Sequence, residues 1–174
     1  MRVAVVGLWH LGLVTAACLA SFEHEVLALA EDDDTAAALS LGQLPIYEPG
    51  LNETVRESVA RGTLRFTADR GLLRDSEIVW ITYDTPIDNE DRADIASVLG
   101  EITSLFPYLG SDTFVLISSQ LPVGYTRAVE RAYQDAYPTG SAKFAYSPEN
   151  LRLGQALASF QHPDRLVVGA RSDI

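Results

Sequence analysis

Two glycines near the N-terminus have the spacing and setting of a phosphate-binding turn. Gly7 and Gly12 lie between an apolar run, residues 3–6, and a stretch of small and apolar residues, 13–20. This pattern predicts a strand, a tight turn and a helix whose N-terminal amide groups bind a phosphate. The turn is predicted to bind a pyrophosphate through Gly7, Trp9, His10, Leu11 and Gly12.

Trp9 is the unusual member of this turn. In the dinucleotide fingerprint G-x-G-x-x-G the middle glycine lets the backbone approach the phosphates closely, and this chain has Trp9 at that position. Two interpretations follow: the indole projects toward the pyrophosphate, or it covers the ends of the strands as a packing aromatic. The turn therefore predicts the fold more firmly than it predicts the ligand.

A carboxylate after the second predicted strand, residues 25–30, is expected to bind the ribose. Glu31 lies 19 residues beyond Gly12, close to the usual spacing for this role. A carboxylate there accepts hydrogen bonds from both ribose hydroxyls and repels a 2′-phosphate, which favours NAD over NADP. Asp32 is the second candidate, although residues 32–34 also have the composition of a helix N-terminus.

Three polar turns follow further predicted strands, at the sheet edge where ligands bind in such folds. They comprise residues 83–86, 119–124 and 147–150. Each is open to interpretation as a turn alone, but three on one edge favour a binding site. Glu149 is the candidate general acid or base, or water-positioning group, and its alternative role is a carboxylate that caps a helix.

Alternating strand and helix patterns predict the elements that position these turns. Further strands are expected over residues 63–67, 77–82, 114–118, 143–146 and 166–168, and helices over 35–41, 51–60, 93–106 and 125–137. This order favours an α/β, Rossmann-type, doubly wound and mostly parallel sheet, in a single three-layer domain over residues 1–174. Because the chain stops just after the last predicted strand, we also expect it to be cut from a longer protein.

Charge and composition argue against several classes of protein. Lys and Arg number 13 against 24 Asp and Glu, giving a net charge of −11 that repels nucleic acid and anionic membranes. No apolar run reaches the ~18 residues of a membrane span, and no signal peptide is evident, so a cytoplasmic protein is expected. Cys18 is a lone cysteine and the histidines are scattered, which predicts neither a disulfide nor a metal site.

The turns and their flanking residues resemble one family. From Arg2 to about Arg171 the chain is similar to the NAD-binding domain of UDP-glucose/GDP-mannose dehydrogenases. Other Rossmann dehydrogenases share the first glycines but not the following motifs in this order. These motifs are PIYEPGL at 45–51, DTP at 84–86, LPVGYT at 121–126, SPENLRLG at 147–154 and PDRLVVG at 163–169.

The resemblance implies NAD-dependent oxidation of a nucleotide-sugar C6 alcohol to a carboxylate in two hydride transfers. The family's catalytic cysteine, lysine and asparagine come from later domains that are absent here, so we expect the chain alone to be inactive. By resemblance, Thr85 and Ser119 line the nicotinamide side, and Glu149 stands near the substrate and the catalytic water. The family's dimer contacts also lie largely after this region, which predicts a monomer or a weak homodimer.

Three positions depart from the family pattern. Trp9 replaces the middle glycine, and Ala30 stands where the family has its ribose aspartate, so Glu31 would act one residue later. Gln120, a further candidate contact for the cofactor, stands where many members have a threonine near the reaction centre. These departures keep a second interpretation open: a degenerate Rossmann module that binds another nucleotide, or a protein-interaction scaffold.

Overall fold

The computed structural model describes residues 1–87, 90, 92–148 and 151–171, and its sheet is parallel throughout. The sheet order is β3-β2-β1-β4-β5-β6. The order reverses between β1 and β4, which opens a crevice at the carboxyl ends of these strands. The six strands of the described residues are β1 (Arg2–Val6), β2 (Glu25–Leu29), β3 (Leu64–Thr67), β4 (Ile78–Ile81), β5 (Phe114–Ile117) and β6 (Lys143–Tyr146).

Helices cover both faces of the sheet and make the predicted three layers. One core cluster packs α1, α2, α3 and α6 against the sheet, and the other packs α4 and α5 against the opposite face. The doubly wound Rossmann-type architecture expected from the sequence is therefore confirmed. The helices are α1 (His10–Ser21), α2 (Asp33–Ser40), α3 (Leu51–Arg61), α4 (Ile95–Ser104), α5 (Tyr125–Ala136) and α6 (Ala156–Gln161).

The two core clusters explain why β1 reads as an unbroken apolar run. Val3 and Val5 belong to the cluster under α1, whereas Ala4 and Val6 belong to the cluster under α4 and α5. Successive side chains of a strand point to opposite faces, so a strand covered on both faces is apolar at every position. Cys18 of α1 is fully buried, and this burial raises the pKa of its thiol to about 12, consistent with a packing role.

Two predictions about secondary structure were wrong in detail. Residues 166–168 were expected to form a strand, but they are 78%, 51% and 58% exposed and make no ladder. The chain there meets β6 only through an antiparallel bridge between Gly169 and Tyr146. Their apolar side chains remain largely exposed, so this segment does not add a strand to the sheet. The helix predicted from residue 93 begins at Ile95, because Asp94 caps it by accepting the Ser97 amide at 3.0 Å.

Candidate functional site

The turn between β1 and α1 needs both of its glycines. Gly7 has a φ of +95°, and a Cβ there would lie 2.6 Å from the Tyr83 nitrogen. A Cβ on Gly12 would collide with the Gly7 carbonyl oxygen. Thr82 Oγ1 lies 2.9 Å from the Val6 carbonyl oxygen and 3.0 Å from that of Gly7, so its hydroxyl ties the turn to the end of β4. The backbone of this turn is thus held against β4 in one close-packed conformation.

The N-terminus of α1 is left open by its own residues. Trp9 is the N-cap and makes no side-chain cap hydrogen bond, and the first turn contains no acidic residue. The first amide groups of a helix have no intrahelical acceptor, and the helix dipole makes this end positive. The backbone amides of His10, Leu11 and Gly12 therefore suit an anion such as a pyrophosphate.

A cavity of about 650 Å³ opens beside this helix end, at the carboxyl ends of β1, β2 and β4. It lies where the strand order reverses, the position at which doubly wound folds bind their ligands. Among the residues that line the cavity are Gly7, Trp9, Ala30, Glu31, Arg70, Asp84 and Glu101. The structure therefore brings the predicted turn and the predicted ribose carboxylate to one cavity.

Trp9 forms part of the cavity wall. Its side chain is 49% exposed, so it is not packed beneath the ends of the strands. The indole therefore borders the cavity, and the amides of the α1 N-terminus are next to it in the chain.

The two ribose candidates have different surroundings. Glu31 is exposed and lines the cavity, whereas Asp32 is the N-cap of α2 and accepts the Thr35 amide at 2.7 Å. That hydrogen bond from the Thr35 backbone lowers the pKa of the Asp32 carboxyl. Asp32 therefore stabilises the start of α2, and Glu31 is the carboxylate that remains available to a ligand.

The cavity lining has more acidic than basic side chains. Three carboxylates, those of Glu31, Asp84 and Glu101, share the lining with the guanidinium of Arg70. Partial burial raises the pKa of Asp84, and the nearby His10 opposes this shift. Burial, followed by the charge of Glu101, raises the pKa of Tyr83 to about 12, so this phenol stays neutral at physiological pH. A polyanionic ligand here meets attraction from α1 and repulsion from the side chains.

The predicted turns after β4, β5 and β6 lie along one edge, joined by side chain to backbone hydrogen bonds. Thr85 Oγ1 donates to the Gln120 carbonyl at 2.9 Å, and Ser118 Oγ donates to the Ser147 carbonyl at 2.7 Å. Ser119 is buried, and its hydroxyl has no hydrogen-bond partner among the described residues. Ser119, Thr85 and Gln120 are not part of the cavity lining and lie farther along the edge.

Some predicted residues contribute less than their positions suggest, or lie outside the description. The His10 side chain is hydrogen-bonded to Glu48, at 3.0 Å between Nε2 and Oε2, so its ring is already engaged within the protein. Glu149, the candidate catalytic residue, lies outside the described residues, as does Asn150. Within the described ranges, no cluster of His, Cys, Asp or Glu has the arrangement of a metal site.

Glu48 is the residue that the sequence analysis missed. It is 4% exposed and accepts the amides of Gly154 at 2.8 Å and Ala156 at 2.9 Å, in addition to its bond with His10. Burial by itself raises the pKa of this carboxyl, but the three hydrogen bonds outweigh it and the net shift is downward. A glutamate between two apolar, proline-containing segments was the available signal, but its partners are too distant in sequence to infer.

Known proteins resemble this chain over nearly its whole length. A family model described as "UDP-glucose/GDP-mannose dehydrogenase family, NAD binding domain" matches residues 1–173. A UDP-glucose 6-dehydrogenase from Rhizobium meliloti is 36% identical over 171 residues, covering 97% of this chain and 39% of the relative. One from Pseudomonas aeruginosa is 35% identical over 175 residues, covering 98% and 39%.

A solved structure gives the same picture in three dimensions. The UDP-glucose dehydrogenase of the archaeon Pyrobaculum islandicum superposes with a TM-score of 0.89 at 28% identity, over 99% of this chain and 41% of that one. The chain thus spans about two fifths of the length of the relatives it matches. Across the described residues, no helix is both long and apolar enough to cross a membrane.

Proposed function

The chain belongs to the UDP-glucose/GDP-mannose dehydrogenase family, as its NAD-binding domain, and on this premise we propose how it holds the cofactor. The pyrophosphate lies on the first-turn amides of α1, in the turn from Gly7 to Gly12. Glu31 accepts hydrogen bonds from the adenosine ribose in the cavity between β1, β2 and β4. Thr85, Ser119 and Gln120 border the nicotinamide, farther along the same sheet edge.

The observation that carries this proposal is the open N-terminus of α1. Its amides have no side-chain cap, and the two glycines that shape the turn admit no Cβ. The buried Ser119 hydroxyl has no hydrogen-bond partner within the described ranges, so it is a second group available to a ligand. Bound NAD supplies the hydride acceptor; the residues of this chain bind it, orient it and set its affinity.

Titration of the chain with NAD tests the proposal directly. We expect calorimetric binding, quenching of Trp9 fluorescence and thermal stabilisation. A ligand at 100 times its Kd adds about 2.7 kcal/mol to the free energy of unfolding. NADP should stabilise less than NAD, because Glu31 repels a 2′-phosphate. If NAD changes none of these three measurements, the proposed cofactor site is wrong.

For the whole protein we propose oxidation of a nucleotide-sugar C6 alcohol in the cytoplasm, with Glu149 as the acid, base or water-positioning residue. Relatives named UDP-glucose 6-dehydrogenase support this substrate class. For the chain by itself we propose a single domain that is a monomer or weak homodimer and is inactive without the rest of the family's length. Incubation with NAD and UDP-glucose or GDP-mannose should yield no NADH, and clear turnover would contradict this.

A different nucleotide is the second candidate for the same cavity. Trp9 in the wall, Ala30 at the end of β2 and the three carboxylates of the lining favour this alternative. Screening thermal stability against ADP-ribose and several nucleotide sugars separates the two. Stabilisation by NAD supports the dehydrogenase cofactor, whereas stabilisation only by another nucleotide supports the alternative.

A further inference from the structure

Glu48 joins three segments of the chain at one buried carboxylate. It lies in the loop between α2 and α3, and its side chain is almost inaccessible to solvent. Oε2 accepts hydrogen bonds from His10 Nε2 and the Gly154 amide, and Oε1 accepts one from the Ala156 amide. We call these four residues the Glu48 cluster. A buried carboxylate with both oxygens engaged holds its partners at fixed distances.

The partners of Glu48 belong to the two regions that a dehydrogenase domain must align. His10 is the first residue of α1, and its own amide belongs to the proposed pyrophosphate site. Gly154 and Ala156 flank Gln155, the N-cap of α6, and end the segment that follows β6. That segment includes Glu149. One carboxylate therefore connects the cofactor turn with the segment that the proposed function places near the substrate.

The other end of this segment is also held. The Ser147 carbonyl accepts a hydrogen bond from Ser118 Oγ at 2.7 Å, and Ser118 Oγ in turn accepts from Trp80 Nε1 at 2.9 Å. The Trp80 ring lies 6.0 Å from that of Phe160 in α6. Ser147 and Gly154 are thus both held by hydrogen bonds. Ser147 is held from the ends of β4 and β5, whereas Gly154 is held by Glu48, which also contacts His10 of the cofactor turn.

We propose that Glu48 is a positioning residue that transmits occupancy of the pyrophosphate site, through His10, to the backbone at Gly154 and Ala156. A pyrophosphate on the α1 amides restrains the first turn of this helix and with it the His10 ring. The ring then restrains the carboxylate that holds the Gly154 and Ala156 amides, so openings that break these two bonds become rarer. This inference rests on the proposed function, because it needs NAD at the α1 N-terminus.

Amide hydrogen exchange tests this proposal at the two sites it connects, the first turn of α1 and the amides of Gly154 and Ala156. In the unaltered chain, saturating NAD should slow exchange at the first-turn amides of α1 and, by about 3- to 10-fold, at Gly154 and Ala156. His10→Phe keeps a ring of similar shape but removes the hydrogen bond to Glu48. In this variant we expect NAD still to slow amide exchange at the first turn of α1, but to slow it less than about twofold at Gly154 and Ala156. His24→Phe is the matched control and should behave like the unaltered chain.

A second variant tests the carboxylate itself. Glu48→Gln should speed exchange at Gly154 and Ala156 without NAD and remove the effect of NAD there. A purely structural Glu48 would also speed basal exchange, but NAD would still slow these amides in His10→Phe. If His10→Phe does not fold, Glu48→Gln is the test: NAD should still slow the first-turn amides of α1, and any NAD-dependent slowing that persists at Gly154 and Ala156 overturns the transmission.

The outcomes separate this inference from the proposed function. NAD-dependent slowing at Gly154 and Ala156 that persists in His10→Phe overturns the transmission. Binding of NAD by the unaltered chain without any change at these two amides also overturns it and leaves the proposed function intact. Absence of calorimetric NAD binding overturns both together.

Discussion

The cavity beside the α1 N-terminus and the Glu48 cluster adjoin the same turn, but their charged groups have opposite surroundings. Glu48 is buried, and both of its oxygens accept hydrogen bonds. Glu31 and Asp84 are exposed in the cavity, where three carboxylates face one guanidinium. A buried charge needs hydrogen-bond partners within the protein, because burial removes its water. An exposed charge remains hydrated, and a ligand can replace that water. The Glu48 cluster therefore suits a structural role, whereas the carboxylates of the cavity stay available to solvent or a ligand.

Removing the Glu48 carboxylate should have the largest effect, a loss of folding stability. Glu48→Ala removes the acceptor of the buried Ala156 amide, the part-buried Gly154 amide and the His10 imidazole, which should lower the free energy of unfolding by about 3 kcal/mol. Urea unfolding at neutral pH measures it. Glu57→Ala, an exposed glutamate of α3, is the control and should change stability by less than about 0.5 kcal/mol. Equal effects of the two variants would show that the cluster contributes little.

The same cluster predicts acid sensitivity. The folded-state pKa of Glu48 is lowered from its usual 4.5, so its contribution to stability is complete above that value. The contribution is lost as the pH falls through the folded pKa, because protonation favours the unfolded chain. Urea unfolding from neutral pH to about pH 3 should show the gap between the unaltered chain and Glu48→Gln narrowing with acid. A gap that is constant or widens contradicts this.

In the cavity, the largest effect is expected at Trp9. Trp9→Gly removes the indole from the wall and lets a pyrophosphate approach the backbone, which should tighten NAD binding by about 1 to 2 kcal/mol. Calorimetry measures the change. Trp9→Tyr keeps an aromatic ring in the wall and should leave the affinity close to that of the unaltered chain. Unchanged affinity in Trp9→Gly would mean that the ring never obstructs the ligand.

Replacing Glu31 should change NAD affinity in the opposite direction. Glu31→Ala removes the acceptor for the ribose hydroxyls and should weaken NAD binding by about 1 kcal/mol. It should also narrow the preference for NAD over NADP, because the repulsion of a 2′-phosphate is lost. Asp34→Ala removes a nearby exposed carboxylate and serves as the control in the same titrations. If both variants bind NAD equally well, Glu31 does not contact the ribose.

The smallest effect is expected at Asp84. Asp84→Asn removes one negative charge from the cavity and should tighten NAD binding by less than about 1 kcal/mol at low salt. The gain should shrink as ionic strength rises, because the carboxylate is exposed and screened. Titrations at two salt concentrations check both parts. A salt-independent gain would point to a change in shape and not in charge.

Local patterns account for most of what could be predicted. Apolar runs located six of the seven expected strands, and Asp32 and Gly62 mark a helix start and a helix end as their types suggest. The strand expected at 166–168 failed because apolar composition is necessary for a buried strand but does not supply a neighbour. The predicted position of Glu31 beside the turn also followed from spacing, since β1 and β2 pair in register.

Sequence by itself determined the Rossmann-type order of elements, the glycine turn between β1 and α1, and the edge on which the polar turns lie. These properties follow from local spacing and from the geometry of parallel strands. Tertiary structure alone decided that the Trp9 indole borders the cavity and that the His10 ring turns to Glu48. It also decided the partners of Glu48, which lie 38, 106 and 108 residues away in the chain. Contacts between residues so far apart depend on how whole layers pack, and no local pattern encodes them.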